Sequence, residues 1–579
     1  MNGILEEHAM KRVVTLAILM LNSVWLLAAP SKIAPDLKGH HAESVDVIVQ
    51  FTSGARPDVH QRKITNHGGQ IKNDLYSIHG FAASMPADAI ADLARDPNVA
   101  YISSDRPLRT MVDSSQALDY YPLAINAQVA GGLGYDGTGI GVAVIDSGII
   151  DIPDLHGQNN RVVFSQNFVG GTSGSANDQY GHGSHVAGII GGNGNKSTGS
   201  NYFYTFKGIA PNVNLINLRV LDANGVGTDS QVIAAIQQAI QMKSEYNIRV
   251  INLSLGRPVY ESYQLDPLCQ AVEQAWNAGM VVVVAAGNEG RNNSANTNGY
   301  GTITAPGNDP SVITVGAMKT MGTSSRSDDM IASYSSKGPT LFDHVVKPDL
   351  VAPGNRIISL YSAGLKMNQL YPGNEIPYSL YQTNGNSTAS GTYYRLSGTS
   401  MAAGVVSGAS ALLIQQNPSL TPDQVKARLM KTAYKVFPTY SSVTDQATGI
   451  TYTDQYDLFT IGAGYLDVAA ALSNTDLAAG SALSPTATYD ASSGNVYLVS
   501  GNSAVWGTSA VWGTSAVWGT SAVWGTSAVW GTSAVWGTSA VWGTSTNQGF
   551  SAVWGTSAVW GTSTNDAGES TTVAIGGEN

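Results

Sequence analysis

The stretch GTSMAAGVVSGASALLIQQ, ending at Gln416, runs a tight Gly-Thr-Ser turn straight into an apolar helical pattern and so sets the Ser400 hydroxyl at a helix N-terminus. Unpaired N–H groups and the positive helix end make that a place where a hydroxyl can attack and an oxyanion can be held. Serine also opens helices as an ordinary cap, so this segment alone has two readings. In GVAVIDSGI, residues 141–149, an uncharged β-branched run reaches Asp146 and then Ser-Gly. Such a run reads as a buried parallel strand, with its aspartate at the carboxyl edge of a sheet, where open α/β folds keep their sites. An aspartate that merely opens a turn is the plainer alternative. In DQYGHGSHVAGIIGG, residues 178–192, His182 stands between two glycines at the start of a small-residue helix, where other backbone can approach closely and the ring has room. His185, one turn on, is expected to pack or cap.

Those three residues supply the roles that acyl transfer requires: Ser400 to attack, His182 to take and return the proton, Asp146 to fix the imidazole tautomer and stabilise its charged form. In their order and contexts, VIDSGI, GHGSHVAGI and GTSMA, the sequence resembles the subtilisin-like (subtilase) serine proteases. The resemblance implies an endopeptidase acting on extended polypeptides. It also gives Asn288, at the end of MVVVVAAGNEG (280–290), the task of donating its side-chain amide to the oxyanion beside the backbone N–H of Ser400. An asparagine before a glycine-rich turn is otherwise a left-handed turn residue.

By the same resemblance Ser254, Leu255 and Gly256, in INLSLGRP, form one wall of the primary specificity pocket. Gly225 and Gly227, in GVGTDS, form the opposing edge, and Thr304, in TITAPGNDP, approaches the floor. A strand of this kind pairs with substrate backbone and so accepts many sequences. The acidic residues in these segments, Asp229 and Asp309, are not clearly aimed inward, so an uncharged, apolar side chain is expected before the scissile bond. Two departures from the family pattern stand out. Gly404 and Val405 follow Met401-Ala402-Ala403 where most members place proline, and glycine in a helix's first turn should loosen it by around 1 kcal/mol. The connection between APG (352–354) and GTS (398–400) is long and reads as a surface loop near the nucleophile, a lid or substrate rim.

With 579 residues, 43 % hydrophobic and 12 % charged, the chain is globular in composition and too long for a single core. A net charge of −11 without a basic patch argues against nucleic acid as a partner. The single cysteine, Cys269, excludes an intramolecular disulfide and lies in an amphipathic helical pattern as a small buried hydrophobe. No cofactor is required for the chemistry. A structural calcium is an option at GNGNKSTGSNYF, which takes the place of a loop that binds calcium in many relatives but lacks carboxylates.

Four parts are expected. Residues 1–30 read as an export signal, with Lys11-Arg12 before seventeen mostly apolar residues too short for a comfortable membrane span, though the small-residue cleavage pattern is imperfect. The product is therefore expected outside the cell, secreted or associated with the cell surface, with no stable membrane insertion after signal removal. Residues 45–108 carry strands VDVIVQF, GFAASMP and NVAYISSDRPL with the helix ADAIADLARDP. This α+β pattern resembles the inhibitory propeptide of subtilases, a partner of the enzyme's own making, with maturation between Pro107 and Asp119. Residues 115–475 alternate buried strands with helices, which predicts an α/β, doubly wound, mostly parallel sheet with helices on both faces. Residues 476–579 hold nine copies of SAVWGT. An even period puts every Trp of an extended strand on one face, whereas a helix would rotate each by about 120°, so strand or β-solenoid is favoured and an adhesive, sheet-forming, surface-associating extension is expected. It should be dispensable for peptide hydrolysis, so that a chain ending near residue 480 stays active.

The competing readings are a catalytically silent surface protein that uses the fold only to carry the repeats, which Gly404 alone favours, and a Ser-triad esterase. The esterase is disfavoured because no GxSxG elbow surrounds Ser400.

Overall fold

The β-branched runs that the sequence strings between amphipathic helices become the layers of a three-layer fold. In the computed structural model the described residues are 32–34, 37, 44–52, 57–75, 80–104, 120–170, 174–294, 296–445, 448–490, 495–499, 517–523, 535–541 and 577–578. The expected leader, the expected maturation stretch and most of the repeats lie outside them. The chain divides into two units, residues 1–109 and 110–579.

In the first unit β1 (Ser44–Phe51) is followed by α1 (Pro57–Asn66), β2 (Gln70–Leu75), β3 (Gly80–Pro86), α2 (Ile90–Leu93) and β4 (Val99–Ser104), with sheet order β2-β3-β1-β4. Alternation in β1 sends Val47, Val49 and Phe51 into a core with Ile64, Phe81, Met85, Leu93 and Ile102. Helix α1 and strand β2 go beyond the sequence expectation. Helix α1 buries only His60 and Ile64, and β2 is a polar edge strand, so neither carries a clear apolar period.

In the second unit the central sheet runs β11-β10-β9-β8-β5-β7-β6, with β12 also pairing with β10. Its strands are β5 (Gly141–Asp146), β6 (Val162–Asn167), β7 (Asn214–Arg219), β8 (Ile248–Leu253), β9 (Val281–Ala285), β10 (Ile313–Lys319), β11 (Met330–Ile331) and β12 (Leu350–Pro353). All their pairings are parallel except β10 with β11. Strands β5 and β9 are buried at every position, as sheet strands covered on both faces must be. The helices that matter for the site are α3 (His182–Gly191), α4 (Asp229–Gln241), α5 (Pro267–Asn277) and α6 (Thr399–Gln416). Cys269 lies buried in α5 and donates to Asn308 Oδ1 (3.3 Å).

Helix α6 is buried almost throughout because it packs against α3 and several strands. Gly404 lies in its second turn, not its first, and an added Cβ would stand 3.2 Å from Ile189 Cγ2. An added side chain would therefore press on Ile189 of α3, so the effect of this departure depends on the packing of α3 against α6 as well as on helix propensity.

The long connection is not a bare surface loop. It folds into β13 (Ile357–Leu360), β14 (Glu375–Pro377) and β15 (Ala389–Leu396), a small sheet over fully buried Tyr381, Tyr393 and Tyr394. Phe206 joins Tyr393 at a ring separation of 4.6 Å. The Tyr-rich composition reads as loop because aromatic residues at irregular spacing carry no period, although their burial is what orders the segment.

Beyond the expected boundary at 475 the chain stays on the fold. Ser484 Oγ donates to Asp349 Oδ1 (2.5 Å), and Val346 N donates to Pro485 O (2.8 Å). Within the repeats, Val517–Val523 and Val535–Val541 are strands paired in parallel, Val517 opposite Val535 and Val523 opposite Val541, with an irregularity between. That register is an offset of three hexads.

Candidate active site

Strand β5 ends at Asp146, whose side chain is fully buried. Its carboxylate accepts from Ser147 N (2.7 Å) and lies 2.8 and 3.0 Å from His182 Nδ1 through its two oxygens. With the Nδ1 proton committed to Asp146, the lone pair of the neutral ring is on Nε2, the arrangement a general base needs. Two glycines make this contact possible. Gly181 caps α3 at φ +114°, and a Cβ on Gly183 would stand 2.3 Å from the Gly148 carbonyl oxygen.

The His182 ring is 16 % exposed. Burial favours its neutral form, but the Asp146 carboxylate, through charge and hydrogen bond, and Asp178 outweigh that and raise its pKa above the ordinary 6.5. The sign follows from linkage. The protonated ring's contribution to stability is complete below 6.5 and is lost as pH rises through the raised value, while the neutral base forms only above it. The acid limb of kcat/KM against a neutral peptide substrate should therefore have its midpoint above 6.5; a midpoint at or below 6.5 in a pH–rate profile would contradict this coupling.

Asp178 is a residue the sequence pattern did not single out. Wholly buried, it accepts from Ser147 Oγ (2.9 Å), Tyr180 N (3.0 Å), Gly181 N (2.7 Å), Ser184 N (2.9 Å) and Ser184 Oγ (2.8 Å). It thereby shapes the turn that presents His182. Its one cue in the sequence is an aspartate four residues before the histidine, a spacing shared by many turns. His185 is buried, with Nε2 3.1 and 3.0 Å from the carbonyl oxygens of Ile357 and Tyr394, and burial, aided by His182, pushes its pKa down to about 3. It is a neutral packing residue.

Gly398 at φ +150° makes the turn into α6, where few residues other than glycine fit. The Gly398 N donates to Gly354 O (2.8 Å), which hangs the turn on the end of β12. A chain of side chains holds the next residues: Ser407 Oγ donates to Asn252 Oδ1 (2.9 Å), Asn252 Nδ2 to Ser254 Oγ (2.9 Å), and Ser254 Oγ to the Ser400 carbonyl (2.8 Å). Ser400 Oγ donates to Ser254 O (3.2 Å). Asn288 follows β9, and its Oδ1 accepts from Thr399 N (2.9 Å) and Thr399 Oγ1 (3.0 Å). Those bonds fix the amide's orientation, because an oxygen in that place leaves the NH2 as the donor.

His182, Asn288 and Ser400 line one cavity of about 970 Å³, together with Ser254, Leu255, Gly256, Gly225, Gly227 and Thr304. Arg257 and Ala305 exchange backbone hydrogen bonds (3.0 and 2.8 Å), which ties the Ser254–Gly256 wall to the Thr304 side. Of the two acidic residues noted in the sequence, Asp229 reaches the cavity but is paired with Arg257 (2.9 Å), and Asp309 is buried, which drives its pKa up to about 7. The sequence reading overlooked Glu289, a further carboxylate on the cavity lining that sits directly after Asn288. On the rim, Lys366 N and Met367 N donate to Gln179 O (3.1 Å) and Tyr180 O (2.9 Å), so the long connection borders the His182 turn.

In the loop at 194–203 several oxygens are bonded within the protein, among them Gly194 O and Ser197 Oγ. Asp154, the carboxylate beside it, takes Lys196 N (2.7 Å) and the Tyr393 hydroxyl (2.6 Å), and Ser197 Oγ takes Phe206 N (3.0 Å). Among the described residues no group of three or more His, Cys, Asp or Glu could hold a metal.

A paired imidazole and carboxylate, a serine at a helix start and an oriented amide thus lie on one mostly parallel α/β sheet fold. The chain belongs to the subtilase family: the family model matches residues 137–464, and that of the peptidase inhibitor I9 matches residues 34–111. Over 407 residues the chain is 33 % identical to the serine protease AprX of Bacillus subtilis (strain 168), covering 68 % of this chain and 84 % of that protein. It is 34 % identical over 384 residues to subtilisin E of the same organism, covering 66 % and 82 %, and 35 % identical over 363 residues to an extracellular serine proteinase of Thermus sp. (strain Rt41A), covering 61 % and 70 %. The fold expectation holds: a subtilisin-like α/β protein preceded by an inhibitor domain, and a serine protease by family. Among the described residues no helix is long and apolar enough to cross a membrane.

Proposed function

We propose that the chain is a secreted, self-processing serine endopeptidase that cleaves extended polypeptides through Ser400, His182 and Asp146, with Asn288 as oxyanion donor. The observation that carries this reading is the Asp146–His182 pair, whose imidazole lines one cavity with Ser400 and with an asparagine whose amide is already oriented. In this reading Ser400 Oγ leaves the Ser254 carbonyl and turns toward His182 Nε2. Ser400 Oγ then bonds to the substrate carbonyl carbon as its proton passes to Nε2. The oxyanion is taken by Asn288 Nδ2 and Ser400 N, and the imidazolium returns the proton to the departing amine. Water, deprotonated by the same ring, releases the acyl group. No step calls on a metal or cofactor.

The substrate backbone would lie between Ser254–Gly256 and Gly225–Gly227, with Thr304 toward the pocket floor. The preference for an uncharged residue before the scissile bond stays part of the proposal, tempered by Glu289 on the same lining. Residues 1–30 would direct export, and residues 45–108 would occupy the enzyme as its own inhibitor until cleavage between Pro107 and Asp119. The SAVWGT array is read as a sheet-forming extension that associates with a surface. The dispensable part is narrower than everything past 480, because Ser484, Pro485 and Glu578 make contacts on the peptidase unit. The test is the N-terminal sequence of the product from wild-type and Ser400→Ala chains. The wild type should begin between residues 107 and 119, whereas the variant should keep residues 45–108; processing of both alike would remove self-cleavage from the account.

A further inference from the structure

Glu578 lies past the repeats in sequence, yet its carboxylate is 1 % exposed within the peptidase unit. It sits between two cations that are themselves buried, 2.9 Å from Arg291 Nη2 and 3.0 Å from Lys319 Nζ, and it accepts from Ser333 N (3.2 Å) and Ser333 Oγ. Lys319 ends β10 at 2 % side-chain exposure, and Glu578 is its only ion-pair partner among the described residues. The backbone is clasped as well: Asn355 Nδ2 donates to Glu578 O and Glu578 N donates to Asn355 Oδ1, both at 2.9 Å. A contact this well satisfied on every polar atom is a built socket.

The socket joins the two loops that supply the oxyanion donors. Arg291 is three residues past Asn288, and Gly290 N is bonded to the backbone of Tyr334 (2.8 Å), whose hydroxyl donates to Gly354 O (3.2 Å). That same carbonyl takes Gly398 N, at the turn into Ser400. Gly577, at φ +83°, packs so closely that an added Cβ would stand 2.6 Å from Ser397 Oγ and 2.5 Å from Arg356 Cγ. Lys319 and Arg291 together hold the Glu578 carboxyl below its usual range despite burial, in keeping with a permanent charge.

We propose that Glu578 is a positioning residue of the protease: seated on Arg291 and Lys319, it sets the Asn288 loop and the Gly398–Ser400 turn in register, so the far end of the extension completes the oxyanion site. This rests on Asn288 acting as oxyanion donor. Oxyanion donors act on the transition state more than on bound substrate, so loosening them lowers kcat and spares KM.

The test uses full-length E578A, K319M/E578M, N288A and wild type, with kcat and KM on a peptide anilide expressed per site titrated with a serine-directed phosphonate. E578A leaves the buried Lys319 uncompensated and Arg291 with Asp445 (2.6 Å) as its one remaining carboxylate partner among the described residues, and should lose stability as well as rate. K319M/E578M removes the unpaired lysine, so its melting temperature should return toward wild type, while kcat stays on the order of tenfold down with KM unchanged. Wild-type kcat per titrated site in K319M/E578M would overturn the proposal and leave Glu578 a stability residue only. Failure of both Glu578 variants to give titratable enzyme would overturn it equally, by making the residue one of folding. N288A separates the underlying reading: an undiminished kcat there would remove the oxyanion role itself, whatever Glu578 does.

Discussion

Ser400→Ala is expected to lower kcat for a peptide amide by about a millionfold, the size that loss of the nucleophile has in a subtilisin. The large figure follows from what remains. With the hydroxyl gone, His182 has no alcohol to deprotonate and Asp146 no imidazolium to stabilise, so only binding and the Asn288 donor still act. The residual rate should therefore be insensitive to a second change, and Ser400→Ala combined with His182→Ala should be no slower than Ser400→Ala alone. Once the retained residues 45–108 have been removed by an added protease, KM should hold, because the walls at Ser254–Gly256 and Gly225–Gly227 are untouched. A residual rate within a hundredfold of wild type, measured on enzyme freed of contaminating protease, would show that another residue attacks.

Asp146→Asn is expected to cost about ten-thousandfold in kcat, again with little change in KM. The carboxylate contacts His182 Nδ1 through both oxygens and is fully buried. An amide in its place can offer an N–H to that nitrogen, which would leave the lone pair on Nδ1 and put the proton on Nε2, the wrong tautomer for a base. The loss should shrink at high pH, where hydroxide can replace the imidazole as base. It should also remove the upward shift of the His182 ionisation, since the Asp146 charge is its main cause. A variant with wild-type kcat at pH 8 would mean that Asp146 does not orient the ring.

The legible part of this molecule was what rests on short-range pattern. Buried β-branched runs announce strands β5 and β7–β10, and two of them run into the small-residue turns that drew attention in the sequence, Asp146-Ser-Gly after β5 and Gly287-Asn288 after β9. What the sequence hid depends on contacts distant along the chain. Asp178 looks like any turn aspartate until its five donors are seen. Gly404 lies in the second turn of its helix against Ile189, a neighbour on another helix that a one-dimensional reading cannot see. The Tyr-rich connection reads as loop, since its order comes from stacking across the fold and not from a period. Glu578 is the extreme case. Its partners Arg291, Lys319 and Asn355 lie more than two hundred residues earlier, beyond the reach of any motif.

The central claim is that Ser400 is the nucleophile made reactive by His182. Its most direct test is mass-spectrometric mapping of the adduct formed when a serine-directed phosphonate reacts with the native enzyme and with His182→Ala, the variant first freed of residues 45–108 by an added protease. One adduct per chain, on the peptide containing Ser400 and absent in the His182 variant, is the expected result. No adduct on the native enzyme, or an adduct at another serine, would contradict it.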